Sequence, residues 1–450
     1  MKGTRPRGAR AGLAALGLAA CTSVPAGRTN SQVEIIDWWT AGGEKDAISA
    51  LLDQFQLQYP NETPLPMPFD GSDVARTTID TLMNGNQPPD TFQANGGWDL
   101  LTWVVLNDVD DRSSKMEPIN QFAADLTRTM PPAVLKTVSF TNSSATNTYG
   151  IPLDIHRTNT LFYNTALLPS FERSPPTSLD DLFAVAAQLQ AKGLATPISL
   201  GAADSTLPIL FFENLLVSRA GAKFYQDFML GVGDAYAPEI ATAVDDLATL
   251  LTYANANATQ LNWKDAAGRV VSGDAAMTIM GDWDKAYMVK TLLATAYVPG
   301  GDAGVSATDA GTSVLFGAIP TPGTLGTFVF TTDTFGLPRG APNRTGTLDL
   351  LTLFASAAGQ DIFNPIKGSI SPRSDTDQSL YDDMGRQTIS DFNTATEVVA
   401  ATAILAPPEF VDAINDALVQ FLKDGNKSAV IHAIANRYDM LQNGPLSPLL

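Results

Sequence analysis

Residues 33–38 alternate apolar and polar side chains (Val33-Glu34-Ile35-Ile36-Asp37-Trp38) and are rich in β-branched types, which predicts a first strand. A Gly-Gly loop follows. Ile48, Leu51, Leu52, Phe55 and Tyr59 then recur at helical spacing until Pro60 stops the helix. Residues 90–93, after Pro88-Pro89, read as a second strand of a parallel sheet. Residues 149–153 and 160–163 are extended segments that flank a polar stretch from His156 to Asn159. Ser178 and Asp181 form a capping box ahead of Leu179, Leu182, Phe183, Ala186 and Leu189, and Gly193 closes that helix. Similar periodicity predicts helices at 208–219, 240–254, 347–358 and 410–424, and strands at 275–280 and 328–335. The Gly/Thr/Ala-rich 300–312 stretch reads as a long surface loop. Helices alternating with β-runs imply an α/β fold with parallel-rich sheets, and such open sheets bind ligands beyond the carboxyl ends of their strands. Trp38 and Trp39 lie at one such end, as does the loop from Gln93 to Gly97.

The first twenty residues stand outside this pattern. Lys2, Arg5, Arg7 and Arg10 precede a short apolar run from Ala11 to Ala20, the form of a secretory signal rather than a span. Leu18-Ala19-Ala20-Cys21 resembles the lipobox of bacterial lipoproteins. In that family the cysteine takes a diacylglyceryl group and becomes the new N-terminus. Cys21 is the only cysteine in the chain, so no disulfide can form within it. Residues 21–32 have no hydrophobic periodicity and read as a flexible tether from that lipid anchor.

Composition narrows the partners. The 450 residues are 44% hydrophobic, ample for packed cores, and 47 acidic against 28 basic residues give a net charge of −19. That excess repels phosphate backbones and anionic headgroups, so nucleic acid is not an expected partner. No apolar run approaches the roughly 20 residues of a membrane-spanning helix. Nucleophile-elbow, zinc-protease and phosphate-loop motifs are missing, and with one cysteine and two distant histidines, His156 and His432, neither a metal nor a cofactor is expected. Asp282 and Asp284, flanking Trp283, are the local candidates for a carboxylate-pair glycoside hydrolase, or else cap a strand end. A structural lipoprotein is a further alternative.

Six segments in order point to a family. They are residues 35–44 (IIDWWTAGGE), 88–93 (PPDTFQ), 155–159 (IHRTN), 276–283 (AMTIMGDW), 333–338 (DTFGLP) and 367–370 (KGSI). Together they resemble the extracellular solute-binding proteins of bacterial ABC sugar importers, in particular the glucose/mannose-binding branch. The resemblance implies two lobes of the type II periplasmic-binding-protein kind, joined by crossing hinge strands, with a ligand cleft between them. It places residues 33–155 and 331–372 in one lobe and 156–330 and 373–450 in the other. It also implies a monomeric receptor that captures a sugar without covalent chemistry and presents it to a membrane permease.

Site residues follow from the resemblance position by position. Trp38 and Trp39 resemble the paired tryptophans beside the sugar, although neighbours on a strand face opposite ways and one of them suits the core. Glu44 resembles the acceptor that follows them, and Trp263 a tryptophan that covers the other sugar face. Asp333 and Lys367 match a charged pair that brackets ring hydroxyls, or form an ordinary salt bridge. Asn95 stands where the family often has histidine, as does Thr402 in a looser alignment. Asp99 matches an acidic position near the site or opens a helix. Trp283 reads mainly as packing, and His156 as a brace bonded to Arg157 or Asn159.

Overall fold

The computed structural model describes residues 31–105, 113–141, 145–203, 207–296, 298 and 314–443. The signal segment, Cys21, nearly all of the tether and the 300–312 stretch lie outside the described residues. Among the described residues no helix is long and apolar enough to cross a membrane.

The fold is α/β, and the predicted helices are present, the one expected at 347–358 divided at Ser356 into Arg344–Ala355 and Ala357–Lys367. The first strand, Gln32–Asp37, lies between Thr63–Pro68 and Thr91–Asn95, and both pairings are parallel. The helix Gly42–Gln58 covers this sheet with Ala47, Ile48, Leu51, Leu52 and Phe55 buried, the stripe that the sequence periodicity marks. Ser178 caps Leu179–Ala191 by accepting a hydrogen bond from Asp181 N at 3.1 Å. The helix expected at 208–219 runs on as Leu207–Met229, with a kink at Gly221, whose φ of 82° interrupts the helical backbone near the expected end.

Two expectations are corrected. The sheets are mixed rather than parallel-rich: among the described residues seven of the eleven strand pairings are antiparallel. The cause is visible in the topology. Asp333–Pro338 enters the first sheet late in the chain and runs against Thr91–Asn95, Met116–Glu117 and Gly150–Pro152. Thr160–Asn164 does the same in a second sheet, between Met277–Met280 and Leu315–Pro320. The second correction concerns residues 328–335, which form two strands and not one. Thr327–Thr331 pairs with Glu397–Ala400 and His156–Arg157, whereas Asp333–Pro338 belongs to the first sheet. Thr332 alone separates them.

The buried apolar side chains divide in the same way. Two adjoining cores draw on residues 33–153 and 335–363. A larger one draws on residues 155–330 and 370–438, with Val134 added. The chain passes between these regions at Asp154–Ile155, at Thr332 and at Ile370, where Ile155 and Ile370 form an isolated antiparallel bridge.

Candidate functional site

A cavity of about 270 Å³ opens between the two core regions. Trp38, Glu44, Asn95, Trp263 and Asp333, five of the eight residues carried over from the resemblance, line it. Trp38 follows the end of Gln32–Asp37, and its amide donates to Gln93 Oε1 at 3.0 Å. The guanidinium of Arg76 lies 5.3 Å from the Trp38 ring. Asn95 and Asp333 are register partners on neighbouring strands, which is why residues 238 positions apart meet at one wall. Trp263 arrives on the first turn of Trp263–Ser272. There a capping box fixes the helix start: Asn262 Oδ1 accepts from Asp265 N at 3.0 Å, and Asp265 Oδ2 accepts from Asn262 N at 3.1 Å.

The other three carried-over residues stand behind the wall. Trp39, just past the strand end, is buried against Phe335 and Phe363 and points away from the cavity that Trp38 lines. Lys367 is fully buried. Its ammonium donates to Asp154 Oδ2 at 2.6 Å and to Asp333. Asp99 accepts from Asn95 N at 3.0 Å and from Arg76 Nη2 at 2.9 Å, so it holds two lining residues in place.

Trp283 and His156 line the cavity too, which the sequence reading did not expect of them. Their rings meet edge to face with centroids 5.4 Å apart. The Trp283 ring lies over Gly281, where an added Cβ would stand 2.0 Å from it, so glycine is needed there. His156 Nδ1 contacts Asp282, not the expected Arg157 or Asn159 side chains, and its Nε2 stands 3.5 Å from Asp154. Asp282 and Asp284 therefore do not act as a facing pair: Asp282 is bonded to His156 and to Arg157 N at 3.0 Å, and Asp284 is buried away from it. Glu213 forms another part of the wall. It accepts from Thr158 Oγ1 at 2.8 Å, Tyr225 OH at 2.9 Å and Thr402 N at 2.7 Å, and Thr402 lines the cavity. The isolated Glu213 inside an apolar helical run was the available signal.

Burial dominates the electrostatics. It pushes the Glu44 carboxyl up to about 7 and Asp37 to about 6. Burial and the neighbouring Asp333 raise Asp154 to about 6. Burial opposes ionisation of Asp333 as well, but Lys367 and His156 outweigh it and hold Asp333 below the usual range. Burial would lower Lys367; Asp154 and Asp333 instead drive it well up. Asp154, His156 and Asp333 bring their ligand atoms close enough to hold a metal ion. The Lys367 ammonium already bonds both carboxylates, so the place of a cation there is taken.

Tryptophans and hydrogen-bonding side chains around one cavity suit reversible capture of a small polar solute. The bacterial extracellular solute-binding protein model matches residues 41–361. The chain belongs to that family. Its members are solute-binding receptors and not enzymes. An uncharacterized ABC transporter extracellular-binding protein of Pyrococcus horikoshii is 30% identical over 422 residues, covering 92% of this solute-binding protein and 89% of the relative. A probable sugar-binding periplasmic protein of Mesorhizobium japonicum is 25% identical over 402 residues, 87% of this chain and 89% of that one. Among solved structures, the bacterial solute receptor AcbH, described with an exclusive preference for β-D-galactopyranose, superposes with a TM-score of 0.74 at 16% identity over 92% of this chain and 99% of its own.

Proposed function

We propose that this solute-binding protein is the extracytoplasmic sugar receptor of an ABC importer, taking a monosaccharide of the glucose, mannose or galactose kind or a short saccharide. The observation that carries this reading is the meeting of three indoles, Trp38, Trp263 and Trp283, with Glu44, Asn95 and Asp333 in one cavity. Flat aromatic faces cover the C–H surface of a pyranose, while carboxylates accept and an asparagine amide both donates and accepts hydrogen bonds with ring hydroxyls. The cavity is at the small end of ligand sites, which start at roughly 300 Å³. The names of the Mesorhizobium relative and of the galactopyranose receptor support a sugar.

In this reading residues 33–155 with 331–372 and residues 156–330 with 373–450 act as two lobes. Sugar docks on one, and closure of the other completes the contacts, so the ligand shifts a hinge equilibrium. The closed form engages the permease. Cys21, lipidated after signal cleavage, tethers a monomeric receptor to the outer face of the membrane. Calorimetric titration with a panel of monosaccharides and disaccharides tests the proposal, and saturable binding of at least one is expected. No heat from any member would remove the transport reading.

A further inference from the structure

Negative charge is in surplus at the polar end of the cavity. Glu44 and Asp333 line it, Asp37, Asp154, Asp282 and Asp284 stand behind them, and the basic groups among the six are His156 and Lys367. Lys367 is engaged by Asp154 and Asp333, and His156 by Asp282. The cations at the rim are engaged too, Arg76 with Asp99 and Lys264 with Asp70.

Three carboxyls remain, and one of them, Asp37, accepts from Trp39 N at 2.9 Å. Glu44 lines the cavity and has no hydrogen-bond partner among the described residues; Lys367, Asp333, His156 and Lys264 are the charged groups around it. Asp284 is fully buried on the first turn of Trp283–Lys290, and neither of its carboxylate oxygens has a hydrogen-bond partner. The charged group that acts on Asp284 is Glu44. The two helices touch closely there: a Cβ on Gly43 would stand 2.5 Å from that of Ala286.

A carboxyl buried without a partner keeps its proton, and burial with Glu44 nearby holds Asp284 well above the usual range, so Glu44 is the carboxyl left to take a cation. The indoles of Trp38, Trp263 and Trp283 line the same cavity; Arg76 and Lys264 lie over the first two, and the Trp283 ring can add an attraction for a ligand ammonium. A neutral polyol would leave the Glu44 carboxylate without a charge-assisted hydrogen bond. We propose that the preferred ligand is an amino sugar whose protonated amine sits against Glu44, with Asp284 behind it. This rests on the sugar reading given above and names the substrate class within it.

The test titrates the full-length protein at pH 7 with matched pairs: glucose and glucosamine, galactose and galactosamine, mannose and mannosamine, plus N-acetylglucosamine as a neutral control of similar size. For at least one pair the amino sugar is expected to bind about tenfold tighter or more, the scale of a charge-assisted over a neutral hydrogen bond. Glu44→Gln should bring that ratio towards one. If a neutral hexose binds and no amino partner binds more tightly, the inference fails while the sugar reading stands. If none of the seven sugars binds, the inference fails, and the sugar reading falls with it only when the disaccharides of the panel also fail to bind. An undiminished ratio in Glu44→Gln would also overturn the assignment.

Discussion

The Lys367 ammonium lies 4.1 Å from the centroid of the Trp39 ring, and both side chains are buried behind the cavity wall. A cation over an indole face, with Asp154 and Asp333 on its other side, forms a charged support beneath the ligand site. Removing Lys367 leaves two carboxylates buried and uncompensated. Lys367→Met is therefore expected to destabilise the fold by roughly 3–5 kcal/mol. Urea unfolding would measure this, and a loss below about 1 kcal/mol would show that the support is not needed.

Asp333 connects that support to the cavity. Its Oδ1 accepts from Gln93 Nε2 at 2.7 Å, and the residue lines the wall. Asp333→Ala should weaken sugar binding by at least about 1.5–3 kcal/mol, the scale of a hydrogen bond to a charged group. An unchanged dissociation constant for the sugar that binds best would take Asp333 out of the site.

Lys264 Nζ stands 3.2 Å from Asp70 Oδ1, joining the two sides of the cavity mouth, and Asp70 is mostly exposed. Exposed pairs contribute about 0–1 kcal/mol. Lys264→Ala is accordingly expected to raise the dissociation constant less than about fivefold, with the remaining effect shrinking in high salt. A hundredfold loss would mean that Lys264 touches the ligand itself.

Stability should depend on pH in a definite direction. Asp37 and Asp154 rise from 3.8 to about 6 in the folded protein, and Glu44 from 4.5 to about 7. Between about pH 4 and 7 the folded state thus holds more protons than the unfolded chain, and stability falls as pH rises. His156, also raised, acts in the same sense, while the lowered Asp333 opposes it. The melting temperature of the ligand-free protein is expected to drop by several degrees from pH 5 to pH 7.5, and less in Asp37→Asn. Equal melting temperatures at both pH values would contradict these shifts.

Cys21→Ala should release the protein from the membrane fraction into the soluble one. Fractionation that still finds it on membranes would refute the lipid tether.

Much of this was readable along the chain because local periodicity and capping chemistry agree with the fold. The helix stripe of Ile48, Leu51 and Phe55 and the Ser178 cap are examples. Trp38, Glu44, Asn95, Trp263 and Asp333 were recognisable from segments that resemble a family, and they do converge on one cavity. What escaped depends on tertiary surroundings. Trp283 and His156 turn towards the cavity because Gly281 makes room for one ring and Asp282 holds the other. Lys367 gave no sign in sequence that its ammonium would be consumed by Asp154, a residue 213 positions away. The mixed sheets were hidden for a related reason: alternation marks a strand but not the direction from which a distant segment enters.

Thr332, the lone residue between strands of separate sheets, has mechanical significance. Its Oγ1 donates to Asp154 O at 2.6 Å, and its carbonyl accepts from Gly96 N at 3.1 Å, so the link is anchored to the first region. Were the two regions to turn against each other as proposed, torsion in so short a pivot would be amplified with distance, as at the base of a pair of tongs. A few degrees at the fulcrum would spread the jaws by several ångströms at their tips without disturbing either grip's interior.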